Sequence, residues 1–105
     1  MPRVLNVRDL PGYADCKPVI PDGAVYIGRP AWRYGLRGSF WANAPLQPNA
    51  TDSERACAAM DYETRLTCDE ARMRRLHELR GRDLVCWCSP KPCHGAVLLE
   101  CANIS

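Results

Sequence analysis

A chain of 105 residues and 11.8 kDa has room for one hydrophobic core, and a single domain over residues 1–105 is expected. Apolar residues at 47% and charged residues at 25% are ordinary globular values, which removes compositional support for disorder, collagen or a coiled coil. A net charge of +2 dictates no partner, and no apolar run approaches the ~20 residues of a membrane span, so no membrane association is expected.

The start, Met1-Pro2-Arg3-Val4, has no basic stretch followed by an apolar segment, and a cytoplasmic protein is the expectation. An odd count of seven cysteines without an export signal favours reduced thiols over a disulfide scaffold. Of 14 basic residues only Lys17 and Lys91 are lysines. That bias fits phosphate or carboxylate recognition, where a planar fork outperforms an ammonium group.

Along the chain, Val4, Leu5 and Val7 predict a short first strand, and the segment from Pro11 to Gly23, with Pro18 and Pro21, predicts a loop. Ala24-Val25-Tyr26-Ile27 predicts a second strand ended by Gly28, which places Arg29 at a strand end. Residues 30–48 carry prolines, glycines and aromatics without periodicity and read as a long, packed loop. Between Asp22 and Asp52 there is no acidic residue, while Arg29, Arg33 and Arg37 lie among Trp32, Tyr34, Phe40 and Trp41. Such a stretch either stacks on a nucleotide or single strand, or supplies core aromatics beside a solvated basic face.

Two capping boxes, Thr51-x-x-Glu54 and Thr67-x-x-Glu70, predict helices over 52–66 and 68–80. Ala56, Ala59, Met60, Tyr62 and Leu66 of the first, and Met73, Leu76 and Leu79 of the second, are the expected inward residues, with Gly81 as the stop. The arginines Arg72, Arg74, Arg75, Arg80 and Arg82 read as a solvated face, with Glu70 and Arg74 paired at i,i+4. Residues 83–88 predict a third, central strand, and a last helix begins near Cys93, with Pro92 at its first turn and Val97, Leu98, Cys101 and Ala102 for packing. The fold class that follows is a small α/β sandwich, a short sheet of about three or more strands packed with about three helices and at least one crossover.

The chemistry-bearing segment is Cys86-Trp87-Cys88-Ser89-Pro90-Lys91-Pro92-Cys93-His94-Gly95. Cys86 and Cys88, two apart on a strand, share a face, and the loop returns Cys93 and His94 to the strand's C-terminal end, where open α/β sheets place ligands. Three readings are open. Cys86, Cys88, Cys93 and His94 match a Cys₃His zinc site in number and type, although C-x-C is not the usual C-x₂-C spacing. Alternatively Cys88 or Cys93 is a catalytic thiolate, stabilised by helix-start amides and by His94. The third reading makes these residues small core side chains and a helix-start histidine. Cys57 and Cys101 are expected in the core, Cys16 in a loop and Cys68 at a helix edge, with His77 exposed. The common hydrolase, P-loop, dinucleotide and zinc-protease fingerprints are absent.

Asn6-Val7-Arg8, Val25-Tyr26-Ile27-Gly28-Arg29, Trp41-Ala42-Asn43 and the run from Leu79 to Leu98 resemble a small domain-of-unknown-function family of bacteria and their viruses. Its members show N-V-R, V-Y-I-G-R, W-G-N-P and C-W-C-x-P-x-x-C-H-G-D-V-L. The resemblance covers nearly the whole chain and brings no activity with it. It implies that Arg8, Arg29, Trp41, Asn43 and the Cys-His cluster belong to one site. This chain departs in Trp41-Ala42-Asn43-Ala44-Pro45, which has an inserted alanine, and in Ala96, which stands at the family's aspartate. If that aspartate is a base or ligand in relatives, this copy retains binding without catalysis.

The leading expectation is a cleft at the strand ends for an anionic, nucleotide-like ligand. Arg8 and Arg29 hold its charge, Trp41 and Asn43 its base or ring, and Cys88, Cys93 and His94 form the reactive or metal-bearing side. The alternatives are a non-catalytic interaction protein stabilised by a structural zinc, and a single-stranded nucleic-acid binder using residues 29–41. Catalysis is open on the sequence alone.

Overall fold

The computed structural model describes residues 2–43, 49–87 and 93–103. Three short strands, β1 (Val4–Asn6), β2 (Val25–Tyr26) and β3 (Leu84–Cys86), form a parallel sheet in the order β1-β3-β2. Val4 faces Leu84, Asn6 faces Cys86, and Tyr26 faces Val85. The central position expected for the third strand is observed, and all three of its residues are buried. The helices are α1 (Asp52–Thr67), α2 (Glu70–Arg75) and α3 (His94–Asn103). Among the described residues, no helix is long and apolar enough to cross a membrane.

Strand periodicity sorts the side chains into two layers. Val4, Val25, Ile27, Leu84 and Cys86 face the helices, where Tyr62, Leu66, Leu76, Leu79, Leu98 and Ala102 complete the larger core. On the other face Leu5, Val7, Ala24, Tyr26, Val85 and Trp87 meet Leu10, Tyr13, Ile20, Tyr34 and Leu36, which come from loops and 3₁₀ turns. Gly95 brings the first turn of α3 onto the sheet: a Cβ there would stand 3.1 Å from both Ile27 Cδ1 and Val4 Cγ1.

Several local expectations change. Val7 leaves the first strand for a 3₁₀ turn, Val7–Asp9, because the Asn6 side chain accepts from the Arg8 amide and caps that turn. The segment from residue 30 contains a 3₁₀ turn, Trp32–Tyr34, closed by an antiparallel bridge between Ala31 and Leu36; its end, residues 44–48, lies outside the described residues.

Thr51 and Glu54 make both bonds of the first capping box. The second box does not form. Thr67 extends α1 and donates to the Thr64 carbonyl, while Asp69 caps α2 by accepting from the Arg72 amide. The second helix is therefore shorter than 68–80 and tightens into a 3₁₀ turn, Leu76–Leu79, which buries both leucines. Gly81 follows at φ +75, a left-handed stop that only glycine adopts without strain.

Met60, 67% exposed, Met73 and Cys57 are not core residues, because α1 and α2 are covered on one side only. Cys101 is half-buried against the core, and Cys68 caps the end of α1.

Candidate functional site: the C-terminal edge of the sheet

In a parallel sheet every strand ends on the same edge, and here that edge gathers Asn6-Val7-Arg8, Ile27-Gly28-Arg29 and Cys86-Trp87. A chain of hydrogen bonds runs across it. The Arg8 amide donates to Asn6 Oδ1 at 2.9 Å, and Asn6 Nδ2 donates to the Trp87 carbonyl at 3.3 Å. Trp87 Nε1 then donates to Tyr26 Oη at 2.8 Å, and Tyr26 Oη donates to the Arg29 carbonyl at 2.6 Å. This polar strap ties the ends of β1, β3 and β2 together and fixes the backbone that carries both arginines.

Gly28 is needed for the last link, since a Cβ there would lie 2.4 Å from the Tyr26 hydroxyl. Partial burial raises the pKa of Tyr26, which keeps its proton in place to donate.

Around Trp87 the loop layer builds an aromatic cluster. Tyr13 and Tyr34 stack with centroids 5.3 Å apart, and each meets Trp87 edge-on, at 6.2 and 5.2 Å. The Arg8 guanidinium lies 5.7 Å from the Trp87 ring centre and that of Arg33 lies 5.8 Å from Tyr34, both within cation–π range. A hydrogen bond between the two tyrosine hydroxyls lowers the pKa of Tyr13 and raises that of Tyr34, with the Arg8 charge adding to the lowering at Tyr13.

Arg8 and Arg29 are exposed and, among the described residues, have no carboxylate partner. The arginines of the helical layer differ. Arg65, Arg72, Arg74 and Arg75 pair with Asp61, Asp69, Glu70 and Glu78 one turn away.

On the helix side of the same edge lie Cys86, Cys93 and His94. The sulfurs of Cys86 and Cys93 are 3.6 Å apart and both residues are buried. His94 opens α3, and its Nε2 donates to the Ile27 carbonyl at 2.9 Å, which leaves Nδ1 as the lone-pair nitrogen. Burial lowers its pKa, so the ring is held neutral. Its plane tilts against Tyr62 with ring centres 4.9 Å apart. Among the described residues, no group of three or more histidine, cysteine or carboxylate side chains is arranged to hold a metal ion. Cys88, the remaining member of the expected ligand set and a catalytic candidate, lies outside the described residues.

The edge thus brings together Arg8, Arg29, Cys86, Cys93 and His94. It does not offer Trp41 as an open ring: Trp41 is 3% exposed in the helix-side core, and its carbonyl accepts from the Tyr62 hydroxyl at 2.8 Å. Asn43 is half-buried, with Oδ1 accepting from Arg65 at 2.8 Å. Sequence reasoning did not single out Trp87, Tyr26 and Asn6 as site builders. Their signal was register: Asn6 is the last paired residue of β1, opposite Cys86, Trp87 directly follows Cys86, and Tyr26 shares the Trp87 face.

A family described as Domain of unknown function (DUF4326) matches residues 14–104. The chain is also 36% identical over 69 residues to the "Uncharacterized 12.4 kDa protein in nrdA-td intergenic region" of Enterobacteria phage T4. That alignment takes in 64% of this chain and spans 63% of the phage protein's length. No solved structure matches this chain.

Proposed function

The chain belongs to the DUF4326 family, whose function is unknown, and on that footing we propose that its sheet edge binds an anionic, nucleotide-like ligand between Arg8 and Arg29. The observation that carries this reading is the polar strap. It holds two carboxylate-free arginines on the strands flanking β3, roughly 10 Å apart at ordinary strand spacing. Two extended guanidinium groups close that gap onto one phosphate with paired, charge-assisted hydrogen bonds. The ring-binding role passes from Trp41 to the half-exposed cluster of Trp87, Tyr34 and Tyr13, with Asn43 left as a polar neighbour. Any chemistry on the bound ligand would fall to Cys93 and the neutral His94, with Cys88 close by in sequence.

Tryptophan fluorescence with AMP, adenosine and inorganic phosphate as probes tests the reading. AMP is expected to bind at least tenfold more tightly than adenosine, and Arg8→Ala and Arg29→Ala each to weaken AMP about tenfold, the equivalent of ~1.4 kcal/mol. Adenosine binding as well as AMP, or indifference to both substitutions, overturns it.

A second reading, a single-stranded nucleic-acid binder, is favoured by Trp32, which is 71% exposed beside Arg33 in a stretch without carboxylates from residue 23 to 51. It predicts oligonucleotide affinity that falls steeply with salt and is lost on Trp32→Ala, with AMP binding unchanged.

A further inference from the structure

Cys86 and Cys93 are seven residues apart, yet their sulfurs touch at 3.6 Å. Both are held by ordered elements. Cys86 ends the central strand opposite Asn6, and Cys93 leads into α3, whose first turn is fixed by the His94 bond to the Ile27 carbonyl and by the close seat of Gly95 on Val4 and Ile27. Chain closure between the two thiols is thus already supplied by the fold. A disulfide requires the sulfurs to approach by roughly a further 1.5 Å.

We propose that Cys86 and Cys93 form a redox-active dithiol that exchanges with low-molecular-weight disulfides. This goes beyond the anion reading and does not depend on it. Cys93 is the entry point, for two reasons. It is the more accessible of the pair, at 8% against 1% exposure, and it directly precedes the first turn of α3, where the helix dipole favours a thiolate. Cys93 as thiolate attacks one sulfur of the small disulfide, forming a mixed disulfide and expelling one thiolate. Cys86 then loses its proton and attacks the Cys93 sulfur, and the second small thiolate leaves. The pair is oxidised by two electrons to Cys86–Cys93 disulfide, and the small disulfide is reduced to two thiols.

The test is titration of the reduced, full chain with glutathione disulfide, followed by alkylation, intact mass and fragment sequencing. The expected result is a Cys86–Cys93 crosslink that forms at about tenfold less oxidant than any other modification of the chain. In Cys86→Ser the mixed disulfide with glutathione should persist at Cys93, because the resolving sulfur is gone. Cys88→Ser keeps both sulfurs of the pair and must still form the crosslink, so the idea remains testable if the first variant does not fold. The proposal is overturned if both thiols alkylate while other cysteines oxidise. It is equally overturned if Cys88 takes the place of either, or if the two are protected by a tightly bound zinc ion detected by elemental analysis.

Discussion

The two faces of the sheet solve the same burial problem with different materials. On the helix face, aliphatic side chains from α1, α3 and the turn after α2 cover Ile27, Leu84 and Cys86, and Arg65, Arg72, Arg74 and Arg75 outside pair with acids three or four residues away. On the loop face, aromatic rings replace helices, and Arg8 and Arg33 lie on those rings in place of carboxylates. A helix satisfies its own backbone and presents charges at i,i+3 and i,i+4 where they neutralise one another. Loops must be pinned by side chains, and their charges remain available to a ligand. In the proposed function the helix face supplies stability and the loop face supplies recognition.

Substitutions can break that division. The largest effect is expected from Leu98→Ala, since Leu98 is fully buried in the helix-side core: a loss of about 2–5 kcal/mol in urea unfolding. If the loop face carried the stability instead, this loss would be matched by Tyr34→Ala, whose ring is only half-buried. Gly95→Ala comes next, at about 1–3 kcal/mol, because its new methyl group would crowd Val4, Ile27 and the Cys93 sulfur, 3.3 Å away, all within the packed junction of α3 and sheet.

Tyr26→Phe removes the hydroxyl that both accepts from Trp87 and donates to Arg29, at a cost of about 1–2 kcal/mol. It sharpens the comparison because AMP affinity should fall with it, which a purely structural hydroxyl would not cause.

His94 gives a pH-dependent test of the helix face. Burial holds its folded pKa below the ordinary value, so as pH drops the unfolded chain takes up the proton first. The stability linked to the neutral ring is complete above about pH 6.5 and is lost as pH falls through the depressed folded pKa. Thermal unfolding between pH 5 and 8 should show this slope, and His94→Gln, which can still donate to Ile27, should flatten it.

The smallest effect belongs to Arg74→Ala: its pair with Glu70 is open to solvent on both sides and should change stability by less than about 0.5 kcal/mol. AMP binding should not respond, in contrast to Arg8→Ala.

Much of this division was legible beforehand in particular residues. The apolar run through Leu84, Val85 and Cys86 marked a central strand, Thr51 and Glu54 marked the start of α1, and Gly28 before Arg29 marked a cation at a strand end. Other residues misled for identifiable reasons. Trp41 among arginines looked like a stacking platform, but the core beside Tyr62 takes its ring. Met60 and Cys57 looked buried because helical periodicity names a face without saying whether anything covers it. Thr67 looked like a cap, but Asp69 competes for the same helix start and binds the Arg72 amide.

The sequence by itself determined the element types, the order of strands and helices, and the arrival of Arg8, Arg29 and the Cys-His segment at strand ends. These follow from local rules of capping, periodicity and turn residues, which act within a few positions of the chain. Only the tertiary structure decided that Asn6, Trp87 and Tyr26 join hands across three strands, and that Cys86 meets Cys93. Register and side-chain direction between distant segments fix those contacts, and they exist only once the parallel sheet has formed.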